Sequence, residues 1–388
     1  MSVTAPIGFT ANGVACGVKG SGALDLSLVA TTDGRPVSAA AVFTQNRMTA
    51  APVLVTNAHL TLTDGRAAAV VLNSGCANAA TGSEGVADAE TTCQLVADEL
   101  GCEPNEVLVC STGLIGYRLP MHAITGGIPP LVAGASIDGA ARAAEAIRTT
   151  DTHRKEALVE GPGFTVGGMA KGAAMLAPNM ATMLAVLTSD AEVPPAELTT
   201  VLRAAVADTF NAISTDGCTS TNDTVILLAS GAAGPPTDRR AFGDAVAQAC
   251  LDLATQMVRD AEGHTKVVTV RVTGAASDDE ARMGARKVAE SQLVKCSWYG
   301  QDPYWGRVAS ELGTAGIAFE SDKLSVRYGD LVVAEAGVTA EVDADALAAY
   351  MAQPDLEVTA HLGLGHGTAR ILTNDLTHAY IDENMGTS

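Results

Sequence analysis

The chain alternates between short apolar runs and longer stretches in which apolar residues recur every three or four positions. Within residues 84–100, apolar positions such as Cys93 and Val96 share one helical face, and Gly101 ends the pattern, as in an amphipathic helix. Residues 266–272, KVVTVRV, alternate instead, which predicts a strand with one exposed face. The same reasoning predicts helices over residues 84–100, 140–147, 195–211, 239–260 and 280–289, and strands over residues 68–73, 107–110, 164–166, 183–188, 224–229, 266–272, 324–328, 331–333, 358–362 and 369–372.

This alternation of helices and strands indicates an α/β or α+β fold, without fixing the order of strands in a sheet. A chain of 388 residues is long enough for two or three packing units. The stretch GAASDDE, residues 274–280, has the small and acidic composition of a linker. We therefore predict a first domain over residues 1–275 and a smaller second domain over residues 276–388.

Composition and charge narrow the class of function. The formal net charge of -20 argues against nucleic acid or an anionic membrane as a partner, because both need a basic face. The eight cysteines form no C-x-x-C pair, which is typical of reduced thiols rather than of a disulfide framework. The first residues, MSVTAPIGFTANGV, do not read as a signal peptide, so we expect a cytoplasmic protein.

One segment departs from the charge pattern of the rest. In GGMAKGAAMLAPNMATMLAVLTSD, residues 167–190, no charge falls between Lys171 and Asp190. About 18 uncharged residues can span a membrane as a helix, but Pro178 and Asn179 interrupt the run and would leave backbone groups unpaired in lipid. We expect two buried strands joined by a turn, and no membrane helix.

Several common catalytic signatures are absent. The chain has no G-x-S-x-G elbow, no phosphate-binding G-x-x-x-x-G-K-[ST] and no H-E-x-x-H. GLGHG, residues 363–367, lacks the spacing of a phosphate loop, so we expect a turn at a strand end. The seven histidines show no close ligand spacing apart from the weak pair His361 and His366, and we predict no metal and no cofactor.

The uncharged segment contains a candidate nucleophile, Thr182. A threonine hydroxyl needs an adjacent base, and the α-amine of a threonine at a chain terminus serves as one. A chain that cuts itself before Thr182 would create that terminus, and the small Ala181 after the turn Pro-Asn-Met suits such a cut. On these residues alone, a threonine in an apolar strand is an ordinary packing residue.

The segment closely resembles the self-cleavage region of the ornithine acetyltransferase family, the glutamate N-acetyltransferases of arginine biosynthesis. Further blocks of the chain resemble that family in the family's order, from about residue 72 to the C-terminus. They are LNSGCANAATG, VCSTGLIG, IRTTDT, FNAISTDGCTSTNDT, DAEGHTK, LVKCSWYGQDPYWGR and YIDEN. As a set, these blocks are highly specific.

The resemblance implies an α-β-β-α sandwich and a smaller C-terminal α/β domain whose tail returns to the active site. It implies autocatalytic cleavage of the Ala181–Thr182 bond into an α chain (1–181) and a β chain (182–388), assembled as (αβ)2. Thr182 would then accept acetyl from N2-acetylornithine and pass it to L-glutamate in a ping-pong reaction. Acetyl-CoA as a second donor, which would make the enzyme a bifunctional N-acetylglutamate synthase, stays open.

The resemblance also assigns roles to single residues. Thr112 and Gly113, in the sequence STG, would form the oxyanion hole that stabilises charge on the acyl oxygen. Lys171 would bind the carboxylate of an amino acid and Glu262 an ammonium group, although an ordinary solvated lysine and a helix-end acid fit these two positions as well. The full set of implied substrate-binding residues is Thr149, Lys171, Thr182, Glu262, Asn384 and Ser388.

The chain departs from the family in three places. Its tail, ENMGTS, is short and lacks the family's tyrosine, so the last contact falls to Ser388 or Thr387. Tyr304 in GQDPYWGR and Cys76 stand where the family usually has other residues.

Two other classes of function remain open at this point. One is an amidase or aminopeptidase with the same kind of N-terminal nucleophile, and the other is a non-enzymatic binding protein that keeps the fold. The acetyltransferase is expected to transfer acetyl, the amidase or aminopeptidase to hydrolyse its substrate, and the binding protein to remain uncut and inactive.

Overall fold

The computed structural model describes residues 2–175 and 183–386, and the structural statements below concern these residues. Ala181, Thr182, Thr387 and Ser388 lie outside them. The strands are β1 (Phe9–Val14), β2 (Leu26–Thr31), β3 (Val37–Phe43), β4 (Arg66–Ala67), β5 (Ala69–Cys76), β6 (Val107–Leu114), β7 (Lys155–Gly161), β8 (Phe164–Lys171), β9 (Leu184–Ala191), β10 (Ile213–Ser214), β11 (Thr224–Gly234), β12 (Val267–Ala275), β13 (Ser325–Tyr328), β14 (Leu331–Glu335), β15 (Val338–Thr339), β16 (Asp355–His361) and β17 (Gly367–Asn374). The helices are α1 (Ala51–Leu62), α2 (Gly82–Leu100), α3 (Met121–Ala133), α4 (Ala140–Ala146), α5 (Pro195–Asp208), α6 (Arg239–Val258), α7 (Asp278–Glu290), α8 (Gln292–Tyr299), α9 (Trp305–Gly313), α10 (Ala344–Met351) and α11 (His378–Glu383).

The chain divides into two compact units. Met1–Asn211 and Cys218–Met257 belong to the first, and Ala212–Gly217 and Val258–Thr387 to the second. This division lies earlier than the predicted boundary at residue 275, because β12 pairs with β16 and β17 in the sheet of the second unit. The linker-like stretch instead joins the end of β12 to the start of α7, where the Ser277 side chain accepts a hydrogen bond from the backbone N–H of Glu280.

The first unit is built on two sheets that face each other. Four strands follow the order β1-β2-β5-β6 and six follow the order β4-β3-β11-β9-β8-β7. Apolar side chains from both sheets share one core, for example Leu72 and Leu108 from the first and Val186 and Ile226 from the second. A sandwich core of this kind forms because each sheet buries an apolar face against the other.

Helices cover the outer faces of this sandwich. Val71 and Val109, on the outer face of the four-stranded sheet, pack with buried residues of α1, α2 and α3. On the six-stranded sheet, Phe164 of β8 meets Phe242 of α6 edge to face, with ring centroids 5.4 Å apart. The first unit therefore has the expected α-β-β-α layers, and β5 reads as a continuous apolar run because both of its faces are buried.

The second unit has one mixed sheet, in the order β10-β17-β12-β16-β13-β14-β15. Its core joins strand residues such as Val270 and Val358 to helix residues such as Val288 and Trp298. Residues of β12 alternate between buried and partly exposed, as the KVVTVRV pattern predicts. The GLGHG sequence forms the connection between β16 and β17, which confirms the expected turn.

The apolar pattern located helices α2, α4, α5, α6 and α7 and missed others, among them α1 and α3, as well as strands β1, β2 and β3. For example, the helix predicted over residues 84–100 is α2, which begins at Gly82 and ends at Leu100. Helix α3 was missed: Pro129 and Pro130 lie inside it, and prolines at these positions obscure a helical pattern. No helix within residues 2–175 and 183–386 is long and apolar enough to cross a membrane.

Candidate active site

The predicted oxyanion residues Thr112 and Gly113 lie near the end of β6 in the first unit. The Thr112 side chain is buried, whereas Gly113 is exposed. Opposite them, the pairing of β5 with β6 changes register at Cys76, and bulges of this kind commonly re-aim groups beside active sites. Cys76, one of the departures from the family, is thus part of this irregular strand end, and its thiol donates to the carbonyl of Tyr117 (3.3 Å).

We expect Gly113→Ala to distort this strand end. Gly113 has φ of 126°, and a Cβ there would lie 2.3 Å from the backbone carbon of Gly75. Loss of one oxyanion donor lowers kcat by about 100-fold or more, so we expect at least that fall in acetyl transfer. Gly126→Ala in α3 is the matched control, because a Cβ there meets open space. Equal activity of the two variants would contradict the role of Gly113.

Lys171 is the last residue of β8, and its side chain reaches Thr112 at the end of β6. Its side chain is only 3% exposed, so the alternative of an ordinary solvated lysine is wrong. The Lys171 Nζ donates a hydrogen bond to the Thr112 hydroxyl (3.3 Å). The structure therefore brings together a predicted carboxylate-binding cation and a predicted oxyanion residue.

Asp151 organises the backbone around both of these residues. Its Oδ1 accepts hydrogen bonds from Lys155 Nζ (2.6 Å) and from the N–H of Gly172 (2.7 Å), and its Oδ2 accepts from the N–H of Thr149 (3.1 Å). Burial alone would raise the pKa of Asp151. The ammonium groups of Lys171 and Lys155, with these hydrogen bonds, outweigh burial and hold the pKa well below its usual value of 3.8. Asp151 is thus a buried carboxylate that positions Thr149 and the residue after Lys171.

A second buried aspartate lies directly before β11. Asp223 Oδ1 accepts a hydrogen bond from the N–H of Met183 (3.0 Å). Its neighbour Asn222 donates through Nδ2 to the carbonyls of Ala77 (2.6 Å) and Ser111 (2.9 Å). Asn222 therefore ties the start of β11 to the end of β6, where Thr112 lies.

In the second unit, the structure brings together Glu262 and Asn384. Asn384 Nδ2 donates to Glu262 Oε2 (2.8 Å) and to the carbonyl of Tyr380 (2.9 Å). A Cβ at Gly263 would lie 2.2 Å from the N of Tyr380, so only glycine allows α11 to approach this closely. Gly263 therefore lets α11 pack against this segment. The packing places the two predicted substrate-binding residues, Glu262 and Asn384, side by side.

A cavity of about 140 Å³ opens beside Glu262 within the second unit. Besides Glu262, three other acidic residues line it, Asp216, Glu290 and Asp375, together with the buried Lys295. Lys295 Nζ donates to the carbonyl of Thr215 (2.7 Å) and to the hydroxyl of Thr373 (3.0 Å). Carboxylates in such numbers favour a cationic group in the neighbouring space.

The roles of Thr112, Gly113, Thr149, Lys171, Glu262 and Asn384 remain predictions, as do those of Thr182 and Ser388 outside the described residues. Sequence reasoning missed Asp151, Lys155 and Asp223. The sequence signal was present, because Asp151 stands in IRTTDT and Asp223 in CTSTNDT. A buried aspartate cannot be distinguished from a solvent-exposed loop aspartate until its hydrogen-bond and ion-pair partners are known.

The chain is similar to known proteins over nearly all of its length. The ArgJ family pattern matches residues 10–386. The arginine biosynthesis bifunctional protein ArgJ of Thermobifida fusca is 48% identical over 388 residues, which cover 100% of both chains. The protein of the same name from Mycobacterium tuberculosis H37Rv is 49% identical over 398 residues, 100% of this chain and 96% of that one. A crystal structure of ornithine acetyltransferase from M. tuberculosis complexed with ornithine is 45% identical, covers 46% of this chain and 94% of that chain, and has a TM-score of 0.42.

Proposed function

The chain belongs to the ArgJ family, acetyltransferases of arginine biosynthesis, and we propose that it moves acetyl from N2-acetylornithine to L-glutamate through an acetyl ester on Thr182. The family also decides against the amidase or aminopeptidase alternative. The observation that carries the mechanism is the hydrogen bond from Lys171 Nζ to the Thr112 hydroxyl. It supports a single site in which a cation for the substrate carboxylate lies beside a donor for the acyl oxyanion.

The chemistry follows from these groups. The hydroxyl of Thr182 attacks the acetyl carbon of N2-acetylornithine, and its proton passes to the α-amine of the same residue. Donors at Thr112 and Gly113 stabilise the oxyanion that forms. Ornithine then leaves with a proton on its nitrogen, and glutamate takes the acetyl group by the reverse sequence. An ester intermediate divides one amine-to-amine transfer into two accessible steps.

We further propose how this enzyme is processed and assembled, which second acetyl donor it uses and where it is located. The chain cuts itself between Ala181 and Thr182, and the two products assemble as (αβ)2. Acetyl-CoA acts as a second acetyl donor, as the word bifunctional in the relatives' names suggests. A cytoplasmic location is supported by the eight cysteines, all in the described part of the chain, which are free thiols.

Two measurements test the proposed function. An intact mass under denaturing conditions should give two fragments that meet at Ala181 and Thr182, in place of one chain of 39.3 kDa. The purified enzyme, given N2-acetylornithine and glutamate, should form N-acetylglutamate much faster than it releases acetate. Replacing N2-acetylornithine with acetyl-CoA tests the second donor. Dominant release of acetate would reinstate the hydrolase alternative, and a permanently uncut, inactive chain would favour a binding protein.

A further inference from the structure

Lys19 is a cation of the first unit that the proposed mechanism does not use, and it lies beside the candidate active site. Gly75 of β5 pairs directly with Gly113 of β6. The side chain of Lys19 packs next to Gly75, because a Cβ added to Gly75 would lie 3.0 Å from Cγ of Lys19. The stem of this lysine is therefore next to the strand end that carries the predicted oxyanion residues.

The ammonium group of Lys19 reaches the segment that carries Thr149. Lys19 Nζ donates hydrogen bonds to the carbonyl oxygens of Arg148 (2.7 Å) and Leu24 (2.9 Å). The carbonyl carbon of Arg148 is bonded to the nitrogen of Thr149, which is a predicted substrate-binding residue. Lys19 thus has predicted site residues near both its stem and its charged end.

A buried aspartate fixes the loop that carries Lys19. Asp25 is 0% exposed. Its carboxyl group accepts hydrogen bonds from the backbone N–H groups of Cys16 (2.7 Å), Gly17 (3.1 Å) and Lys19 (2.9 Å). These bonds restrict the backbone of residues 16–19, so the lysine is held in place before a ligand arrives. A preorganised group loses less entropy on binding than a mobile one.

The charge of Lys19 is not neutralised by direct contact with an acid. Among the residues that the structure describes, both hydrogen-bond partners of its Nζ are backbone carbonyls, and an ammonium group has three N–H donors. Burial lowers the pKa of Lys19 below its usual 10.5, and the positive charges of Arg148 and Lys171 add to this effect. Asp25 and Glu145 raise the pKa only in part. Such a cation favours an anion as its third partner.

The proposed substrates indicate which anion this is. N2-acetylornithine and glutamate share an α-carboxylate, for which Lys171 is the predicted partner. Glutamate alone has a second carboxylate, on its side chain, where N2-acetylornithine has an ammonium group. The charge of Lys171 acts on Lys19, so the two lysines are near enough to interact, as two cations that hold the ends of one small dicarboxylate must be.

We propose that Lys19 binds the side-chain carboxylate of glutamate, the acetyl acceptor, an inference that rests on the proposed acetyl transfer. Lys171 binds the α-carboxylate of the same molecule. Lys19 is then a specificity residue for the second half of the reaction. It binds and orients the acceptor by a charge-assisted hydrogen bond and transfers no proton. The cationic side chain of N2-acetylornithine gains nothing from Lys19.

The test compares glutamate with glutamine as acceptors in wild type and in Lys19→Gln, with N2-acetylornithine as the donor. Glutamine replaces the side-chain carboxylate with a neutral amide of nearly the same shape. Lys19→Gln removes the positive charge and keeps N–H donors for the backbone carbonyls. In wild type, kcat/KM should favour glutamate by about 10- to 100-fold. In Lys19→Gln this preference should shrink to a few-fold, while KM for N2-acetylornithine stays within a few-fold of wild type.

Arg142→Gln is the matched control. The Arg142 guanidinium also donates to a backbone carbonyl, that of Gly13 (2.8 Å). Gly13 lies on β1, at the edge of the four-stranded sheet opposite to β6. The same loss of a positive charge there should leave the preference for glutamate within a few-fold of wild type.

The outcomes separate this inference from the function on which it rests. A folded Lys19→Gln that keeps the wild-type preference overturns the inference, whether its activity with both acceptors is intact or equally reduced, and the proposed function stands. If wild type transfers no acetyl to glutamate, the proposed function itself fails. Should Lys19→Gln not fold, wild type decides. A wild-type preference for glutamate supports the inference, and equal kcat/KM for the two acceptors overturns it, because no cation then holds the side-chain carboxylate.

Discussion

Thr182→Ala is expected to remain a single chain of 39.3 kDa and to lose acetyl transfer. Without the side-chain hydroxyl, neither the acyl shift that breaks the Ala181–Thr182 bond nor the acetyl ester can form. Loss of an acyl-transfer nucleophile lowers kcat on the order of 10⁶-fold. Denaturing mass spectrometry and the exchange of acetyl between N2-acetylornithine and glutamate measure both effects on the same sample.

Thr182→Ser provides the control for this prediction, because it keeps a hydroxyl at the same atom position. We expect the serine variant still to be cut and to transfer acetyl. A Thr182→Ala chain that transfers acetyl at the wild-type rate would be incompatible with the proposed intermediate. So would a serine variant that is cut but never becomes labelled by a radioactive acetyl donor.

Asp151→Ala should produce the largest loss of stability among the residues around the site. The ion pair of Asp151 with Lys155 is fully buried, since both side chains are 0% exposed. Removing one partner leaves a buried charge without compensation, which costs about 3–5 kcal/mol of unfolding free energy. Denaturant unfolding followed by circular dichroism measures this change. A loss no greater than that of the control below would show that the pair contributes little.

Asp355→Ala is the matched control for the loss of an ion pair. Asp355 pairs with Arg259 at 2.7 Å, but the side chains are 55% and 53% exposed. Exposed pairs contribute less than about 1 kcal/mol. The comparison therefore isolates the effect of burial at Asp151.

The contribution of Asp151 should also depend on pH. Its pKa in the folded protein lies below the usual 3.8, so the folded state binds a proton less readily than the unfolded chain. The stabilisation is complete above that usual pKa and is lost as the pH falls below it. The difference in unfolding free energy between wild type and Asp151→Asn should therefore be constant near neutral pH and shrink in acid.

The two aspartates also illustrate where sequence reasoning reached its limit. Gly172 donates to Asp151 and Met183 donates to Asp223, so a buried carboxyl group holds the backbone on either side of the segment that contains Thr182. Nothing in the local sequences IRTTDT and CTSTNDT distinguishes Asp151 and Asp223 from solvent-exposed aspartates in loops. Their roles depend on partners that are far apart in the sequence.

By itself, the sequence determined the class of fold, many of the helices and strands, and the family, because periodicity and motif spacing are local properties of the chain. It also placed Thr112 and Gly113, the predicted oxyanion residues, at the end of a strand. Tertiary structure alone decided that Lys171 is buried against Thr112, that β12 belongs to the second unit, and that Asp223 contacts Met183. The physical reason is that burial, strand pairing and the pKa of an acid arise from contacts between distant segments, which no local pattern records.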